Sequence, residues 1–129
     1  MQYLLDTVAI VRHFSGRGRI GRTAARILDA IEEHDDLLVV SVISLMEVMY
    51  LAERNRIAIN LQETLERIES SSRYMMINLT PEILRVAEMI AFPELHDRLI
   101  LATARWLEIP VISSDGNFGN IPGIVVVWD

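Results

Sequence analysis

The sequence predicts an α/β fold, a three-layer α/β/α sandwich around a mostly parallel central sheet. Short apolar runs alternate with stretches of helical periodicity along the whole chain. One run, Leu37-Leu38-Val39-Val40, is continuous rather than alternating, as suits a strand buried on both faces of a parallel sheet. No linker, internal repeat or low-complexity tract divides the 129 residues, a length that suits one domain spanning 1–129.

Tyr3-Leu4-Leu5 reads as the first strand, ended by Asp6. Residues 8–14 suit a short helix, and the glycines of residues 15–21 a loop. Apolar residues at Ala24, Ile27, Leu28 and Ile31 predict a helix over 23–34. After the strand 37–40, Ser41 or Ser44 opens a helix to about residue 54. Asn60 with Glu63 resembles a capping box for a helix ending near residue 70, and residues 74–79 form the next strand. Thr80-Pro81-Glu82 supplies a cap, a proline at the first helical position and an acid; Phe92-Pro93 ends that helix. A last helix over 94–108 and strands at 110–113 and 124–128 complete the pattern.

Eighteen acidic against 12 basic residues, a net charge of −6, argue against a protein that simply coats nucleic acid or anionic membrane. With no cysteine there is no disulfide, thiolate metal site or thiol nucleophile. Every basic residue is arginine, so neither a Schiff-base nor a P-loop lysine is available. Asp6 and Arg12 interrupt the opening apolar stretch too early for a signal peptide, and no run approaches the ~20 residues of a membrane helix. The expectation is a soluble, cytoplasmic protein. An apolar fraction of 51% points to a covered oligomer face, expected around residues 48–68.

Most of the acids read as solvated charges, but four are placed differently. Asp6 and Asp115 each follow a strand, at the sheet edge where open α/β folds bind ligands; either could instead cap a turn or helix. Glu47 has Ile43, Ser44, Tyr50 and Leu51 as helical neighbours, a face on which a carboxylate is costly to desolvate. Its bland reading is a capping box with Ser44. Asp97 faces Ile100 and Leu101 near a helix start, where it could also complement the helix dipole. If the four converge, their repulsion calls for a cation, and hard oxygen donors suit Mg²⁺ or Mn²⁺. Such a site performs metal-assisted phosphoryl chemistry.

These acids lie in four blocks: Leu4-Leu5-Asp6-Thr7, Ser41-x-x-Ser44-x-x-Glu47-Val48, His96-Asp97-Arg98-Leu99-Ile100-Leu101-Ala102-Thr103-Ala104, and Ser113-Ser114-Asp115-Gly116-Asn117-Phe118. In order and spacing the blocks resemble the signature of PIN-domain nucleases, most nearly the small VapC toxins of prokaryotic toxin–antitoxin pairs. The resemblance implies that Asp6, Glu47, Asp97 and Asp115 bind Mg²⁺ or Mn²⁺ and are catalytic. It implies supporting roles for Thr7, Ser44 and Ser114, with Asn117 as a further contact. The implied activity is endonucleolytic cleavage of RNA, the implied partner a small antitoxin, and the implied assembly a homodimer. Two rivals stay open: a PIN-like nuclease of RNA maturation with no toxic role, and a non-catalytic metal-binding interaction module.

Arg12, Arg17, Arg19, Arg22 and Arg26 make a local positive stretch with no acid from Thr7 to Leu28, suited to RNA phosphates or simply a solvated loop. Gly16-Arg17-Gly18-Arg19-Ile20-Gly21 matches G-x-G-x-x-G literally. A helical stretch rather than a strand precedes it, which argues against a dinucleotide site. His13, His34 and His96 share no metal-ligand spacing and suit surface or supporting positions. Met46, Met49, Met75, Met76 and Met89 suit core or interface positions, and Trp106 and Trp128 suit packing.

Overall fold

A computed structural model describes all 129 residues. Five parallel strands, β1 (Gln2–Leu5), β2 (Leu37–Ser41), β3 (Tyr74–Ile77), β4 (Val111–Ile112) and β5 (Val126–Val127), form one sheet in the order β3-β2-β1-β4-β5. Six helices connect them: α1 (Thr7–Ser15), α2 (Arg22–Asp29), α3 (Val42–Glu53), α4 (Leu61–Glu69), α5 (Pro81–Glu88) and α6 (Leu95–Leu107). A 3₁₀ turn, Gly116–Asn120, follows β4. No helix is long and apolar enough to cross a membrane.

The period-two alternation of the strands divides the core in two. Leu4, Val39 and Val111 point to one face and pack with Ile83, Ala87, Leu99 and Ile100 of α5 and α6. Leu5, Leu38, Val40 and Ile112 point to the other, against Ile10, Phe14, Leu28, Leu45 and Ile68 from α1 to α4. All seven of these strand residues are wholly buried, which explains the continuous apolar run of β2. At roughly 1.5–3 kcal/mol for each large aliphatic side chain withdrawn from water, these central strands anchor the fold.

The helix starts follow their caps. Asp6, Ser41, Asn60 and Thr80 accept backbone N–H bonds at the starts of α1, α3, α4 and α5, and Pro81 occupies the first turn of α5. Gly16 closes α1 at φ 69°, the left-handed conformation a glycine enters without steric cost.

Several expectations need correction. The helix expected over 23–34 is α2 over Arg22–Asp29, followed by turns. Glu32 and Glu33, then Asp35 and Asp36, would set negative charge against the negative end of a longer helix. The later strands are shorter than their apolar runs, because only two residues of β4 and two of β5 find partners. Of the core and interface positions expected for Met46, Met49, Met75, Met76 and Met89, the core is excluded, since all five are exposed. Trp106 is likewise exposed, whereas Trp128 packs against the second core. The glycine-rich loop follows α1 rather than a strand, in keeping with the argument against a dinucleotide site.

The strand order places the site. After β1 the chain moves to one side through β2 and β3, then crosses to the other for β4 and β5. Beyond the carboxyl ends of β1 and β4, α1 packs into one core and the 3₁₀ turn, through Phe118, into the other, at the switch in strand order where open α/β sheets bind ligands.

Candidate active site

Asp6 stands at the end of β1 and Asp115 three residues past β4, on adjacent strands whose Leu5 and Ile112 are paired. Asp6 is only 6% exposed. It is both a cap and a member of the carboxylate group: its Oδ1 accepts the Ala9 N–H at 2.8 Å. Asp115 is also a cap, accepting the Asn117 N–H at 2.9 Å.

Glu47 comes from the second turn of α3. The capping-box reading does not hold, because α3 is capped by Ser41, whose Oγ accepts the Ile43 N–H at 3.1 Å. Ser44 is instead wholly buried and turned toward α1. There Thr7 Oγ1 lies 3.0 Å from Ser44 Oγ and 2.5 Å from Glu47 Oε1. These contacts pin Glu47 to the start of α1, one residue from Asp6.

Asp97 lies in the first turn of α6, where its own N–H donates to the cap, Glu94 Oε2, at 2.6 Å. Its carboxyl is pushed up to about 6, first by burial and then by the negative charge of Glu94, Glu47, Asp6 and Asp115. Asp97 therefore senses the other three carboxylates, although they come from β1, α3 and the β4 end. Asp6 is also raised, chiefly by burial and further by Asp115 and Glu47, while the Ser113 hydroxyl and Ala9 N–H oppose the shift. The four acids form one electrostatic group at the sheet edge.

Glu94 and Ser113 were given no role from the sequence, and His96 only a surface or supporting one. Glu94 is the strongest charge acting on Asp97; its signal was an acid just after Pro93 and three residues before Asp97, a helix-cap spacing. His96 Nδ1 lies 3.4 Å from Glu47 Oε2 and 3.6 Å from Glu94 Oε1, a contact visible only once α3 and α6 pack. Ser113, not Ser114, supports Asp6 and also accepts the Asp115 N–H at 3.0 Å. Ser113 is buried and Ser114 exposed, as strand alternation dictates. Asn117 is exposed and contributes its backbone N–H.

The donors are carboxylate and hydroxyl oxygens, the set that Mg²⁺ and Mn²⁺ prefer, and their accumulated charge suits a divalent ion. No three His, Asp or Glu side chains stand ready to hold a metal ion without moving. Glu47 is turned to Thr7 and His96, and Asp6 and Asp115 each accept a backbone N–H. The set fits a divalent ion in chemistry and charge, with side-chain rotation needed to gather it.

The arginines gather elsewhere. Arg12 donates to the Arg19 carbonyl at 2.8 Å and lies 6.0 Å from the Trp128 ring centre, and Arg19 pairs with Asp129 at 2.6 Å. Arg17 and Arg22 are exposed. Arg12, Arg17 and Arg19 sit toward the end of α1 remote from Asp6, so they do not line the carboxylate group itself.

The family model of the PIN domain matches residues 3–124, and the chain belongs to that family. No curated protein matches it. Among solved structures, VapBC2 from Rickettsia felis bound to a DNA fragment from its promoter superposes with TM-score 0.75 at 16% identity, covering 100% of both chains. A toxin–antitoxin complex from Klebsiella pneumoniae is 27% identical, with TM-score 0.64 and 95% of each chain covered. DNA-bound VapBC from Salmonella typhimurium gives TM-score 0.70 at 19% identity, covering 98% of this chain and 97% of that one.

Proposed function

We propose that this PIN-domain protein is a metal-dependent endoribonuclease, the toxin of a VapBC-type toxin–antitoxin pair. The observation that carries the reading is the placement of Asp6, Glu47, Asp97 and Asp115 at the β1 end, on α3, on α6 and past the β4 end, with Asp97 raised first by burial and then by Glu94 and the other three acids. The toxin role is supported by the fold shared with the VapBC complexes and by the likeness to the Klebsiella complex.

A phosphodiester is an anion, and four clustered carboxylates repel it until a cation reverses the local sign. Asp6, Glu47, Asp97 and Asp115 would hold Mg²⁺ or Mn²⁺, which supplies a Lewis acid for the phosphate and activates water for in-line attack. The chain's own residues set the frame for that chemistry. Thr7 orients Glu47 through Oε1, and His96 flanks its Oε2. Ser113 steadies Asp6 and the Asp115 backbone together. Water attack with the 3′-oxygen leaving, the P–O3′ bond breaking as the bond to water forms and the 3′-oxygen taking up a proton, would yield 5′-phosphate and 3′-hydroxyl ends without using the RNA 2′-hydroxyl.

The expected partners are a small antitoxin and a second copy of the chain. Met46 and Met49 on α3, Leu61 and Leu65 on α4, and Met76 on β3 line one apolar surface depression. This overlaps the 48–68 region, shifted toward the start of α3, and offers a homodimer face. The deciding experiment is incubation of a mixed cellular RNA pool with purified protein and Mn²⁺, with EDTA and Asp97→Asn in parallel. Discrete cuts that vanish in both controls support the reading. Cleavage that survives Asp97→Asn overturns the carboxylate assignment.

A further inference from the structure

We infer that a second anion site, built by Arg12, Arg17 and Arg56 at the far end of the α1–α3 seam, binds the backbone of single-stranded RNA away from the scissile phosphate. The inference rests on the nuclease reading and names a substrate contact outside its carboxylates.

The loops after α1 and α3 meet around a cavity of about 450 Å³, lined by Arg12, Arg17, Arg56, Ser15, Gly18 and Asn55 among others, with no acidic residue in its wall. In a chain of net charge −6 that is a local reversal of sign. The pocket is built rather than incidental. Gly18 adopts φ +91°, and a Cβ there would press to 3.0 Å against the Arg12 side chain, so the loop closes tightly over that stem. Arg12 is held at its head by the Arg19 carbonyl. Asn55 turns the chain at φ 56° just after α3 and brings Arg56 to the same wall. Arg19, paired with Asp129, is outside the lining.

The seam between α1 and α3 joins this pocket to the carboxylates. Thr7 and Glu47 meet at one end. The nine residues of α1 rise about 13 Å to the other. Along α3, Glu47, Tyr50 and Arg54 follow at intervals of three and four, on one stripe of the helix. Tyr50 is 52% exposed, and the Arg54 guanidinium lies 4.4 Å from its ring centre. An exposed aromatic ring beside one guanidinium, in the same depression as Glu47 and His96, with a guanidinium-lined pocket at the other end of the seam, is the combination that suits a single strand by stacking and phosphate contact. An acidic peptide would use the guanidinium forks but has no need of the ring, so RNA is the favoured occupant.

The test measures binding of a fluorescein-labelled single-stranded oligoribonucleotide to Asp97→Asn protein across a salt series. It compares that background with Arg17→Gln/Arg56→Gln added and with Arg85→Gln, an exposed arginine on α5, added as a control; circular dichroism checks folding of each. Loss of two phosphate contacts is expected to make the slope of log K against log salt shallower by about 1.4, with Arg85→Gln nearly unchanged. An unaltered slope in the double variant overturns the site. So does an unaltered RNA slope with lost binding of polyglutamate, which would assign the pocket to an acidic protein. Cleavage of the same oligonucleotide by the wild-type chain with Mn²⁺ tests the nuclease reading separately. Cleavage with an unaltered slope removes this site alone, whereas neither cleavage nor binding removes both.

Discussion

Thr7 contacts both Ser44 and Glu47, so one hydroxyl joins the start of α1 to α3. Thr7→Val keeps the shape and removes the hydroxyl. Loss of such a supporting contact typically costs 10–100-fold in metal affinity or activity, and about that loss is expected here, with Thr7→Ser restoring most of it. Mn²⁺ titration followed by calorimetry checks the affinity directly. Asp97 gives a second expectation. Its unfolded value is near 3.8 and its folded value about 6, so within that window the folded chain keeps a proton that the unfolded chain has lost. Stability therefore falls as pH rises from about 4 to about 6. Asp97→Asn should flatten that fall and raise Tm at neutral pH in EDTA by a few degrees, a modest gain because the group is partly exposed to screening solvent. Calorimetry across the pH range checks it; parallel curves for the two proteins would refute it. The strand ends and helix turns that carry the four acids were legible in the sequence, but each acid alone also read as a cap or dipole partner, and only the four blocks taken together singled them out. Glu94 is an ordinary helix cap by spacing, and its charge matters only because the carboxyl of Asp97 beside it is partly buried. Ser113 and Ser114 could not be ranked without the strand register that buries one and exposes the other.

At the scale of elements, helix starts were the most legible features, because a cap and a proline act locally. Asn60 and Thr80 mark α4 and α5 where expected. Helix and strand ends were less legible. The periodicity of 23–34 outlasts α2, and the ends of β4 and β5 depend on partners far away in sequence. Gly21 illustrates a contact no local pattern announces. A Cβ there would collide with the Trp128 backbone, whose carbonyl accepts the Ala24 N–H at 2.9 Å. Gly21→Ala is expected to destabilise by about 1–3 kcal/mol, the usual cost of forcing atoms into a packed contact. Urea unfolding measures it, and an unchanged midpoint would contradict the packing described.

For the whole molecule, the α/β class and parallel sheet were legible from the alternation of elements, but the distribution of methionines was not. A methionine on a helix reads equally well as core or interface, and these five proved exposed. Met46 and Met49 on α3 with Met76 on β3 create an apolar face larger in its consequences than any one of them. For the dimer proposed above, Met46→Glu/Met49→Glu is expected to sediment as a monomer at micromolar concentration where the unaltered chain sediments as a dimer. An unchanged sedimentation coefficient would place the contact elsewhere.

The centre of the sheet is its earliest strand. β1 lies between β2 and β4, so Asp6 emerges early in synthesis while Asp115, its neighbour across the strands, comes almost last. Contacts this distant in sequence form only when nearly the whole chain is available. A ribosome-bound or truncated chain lacking β4 holds three of the acids but no fourth, and no central strand paired on both sides. Any activity that needs all four is thereby confined to chains whose synthesis has passed β4. In a nuclease that needs all four acids, the strand order would work as a completion check, since a chain that stops before β4 has neither Asp115 nor a central strand paired on both sides.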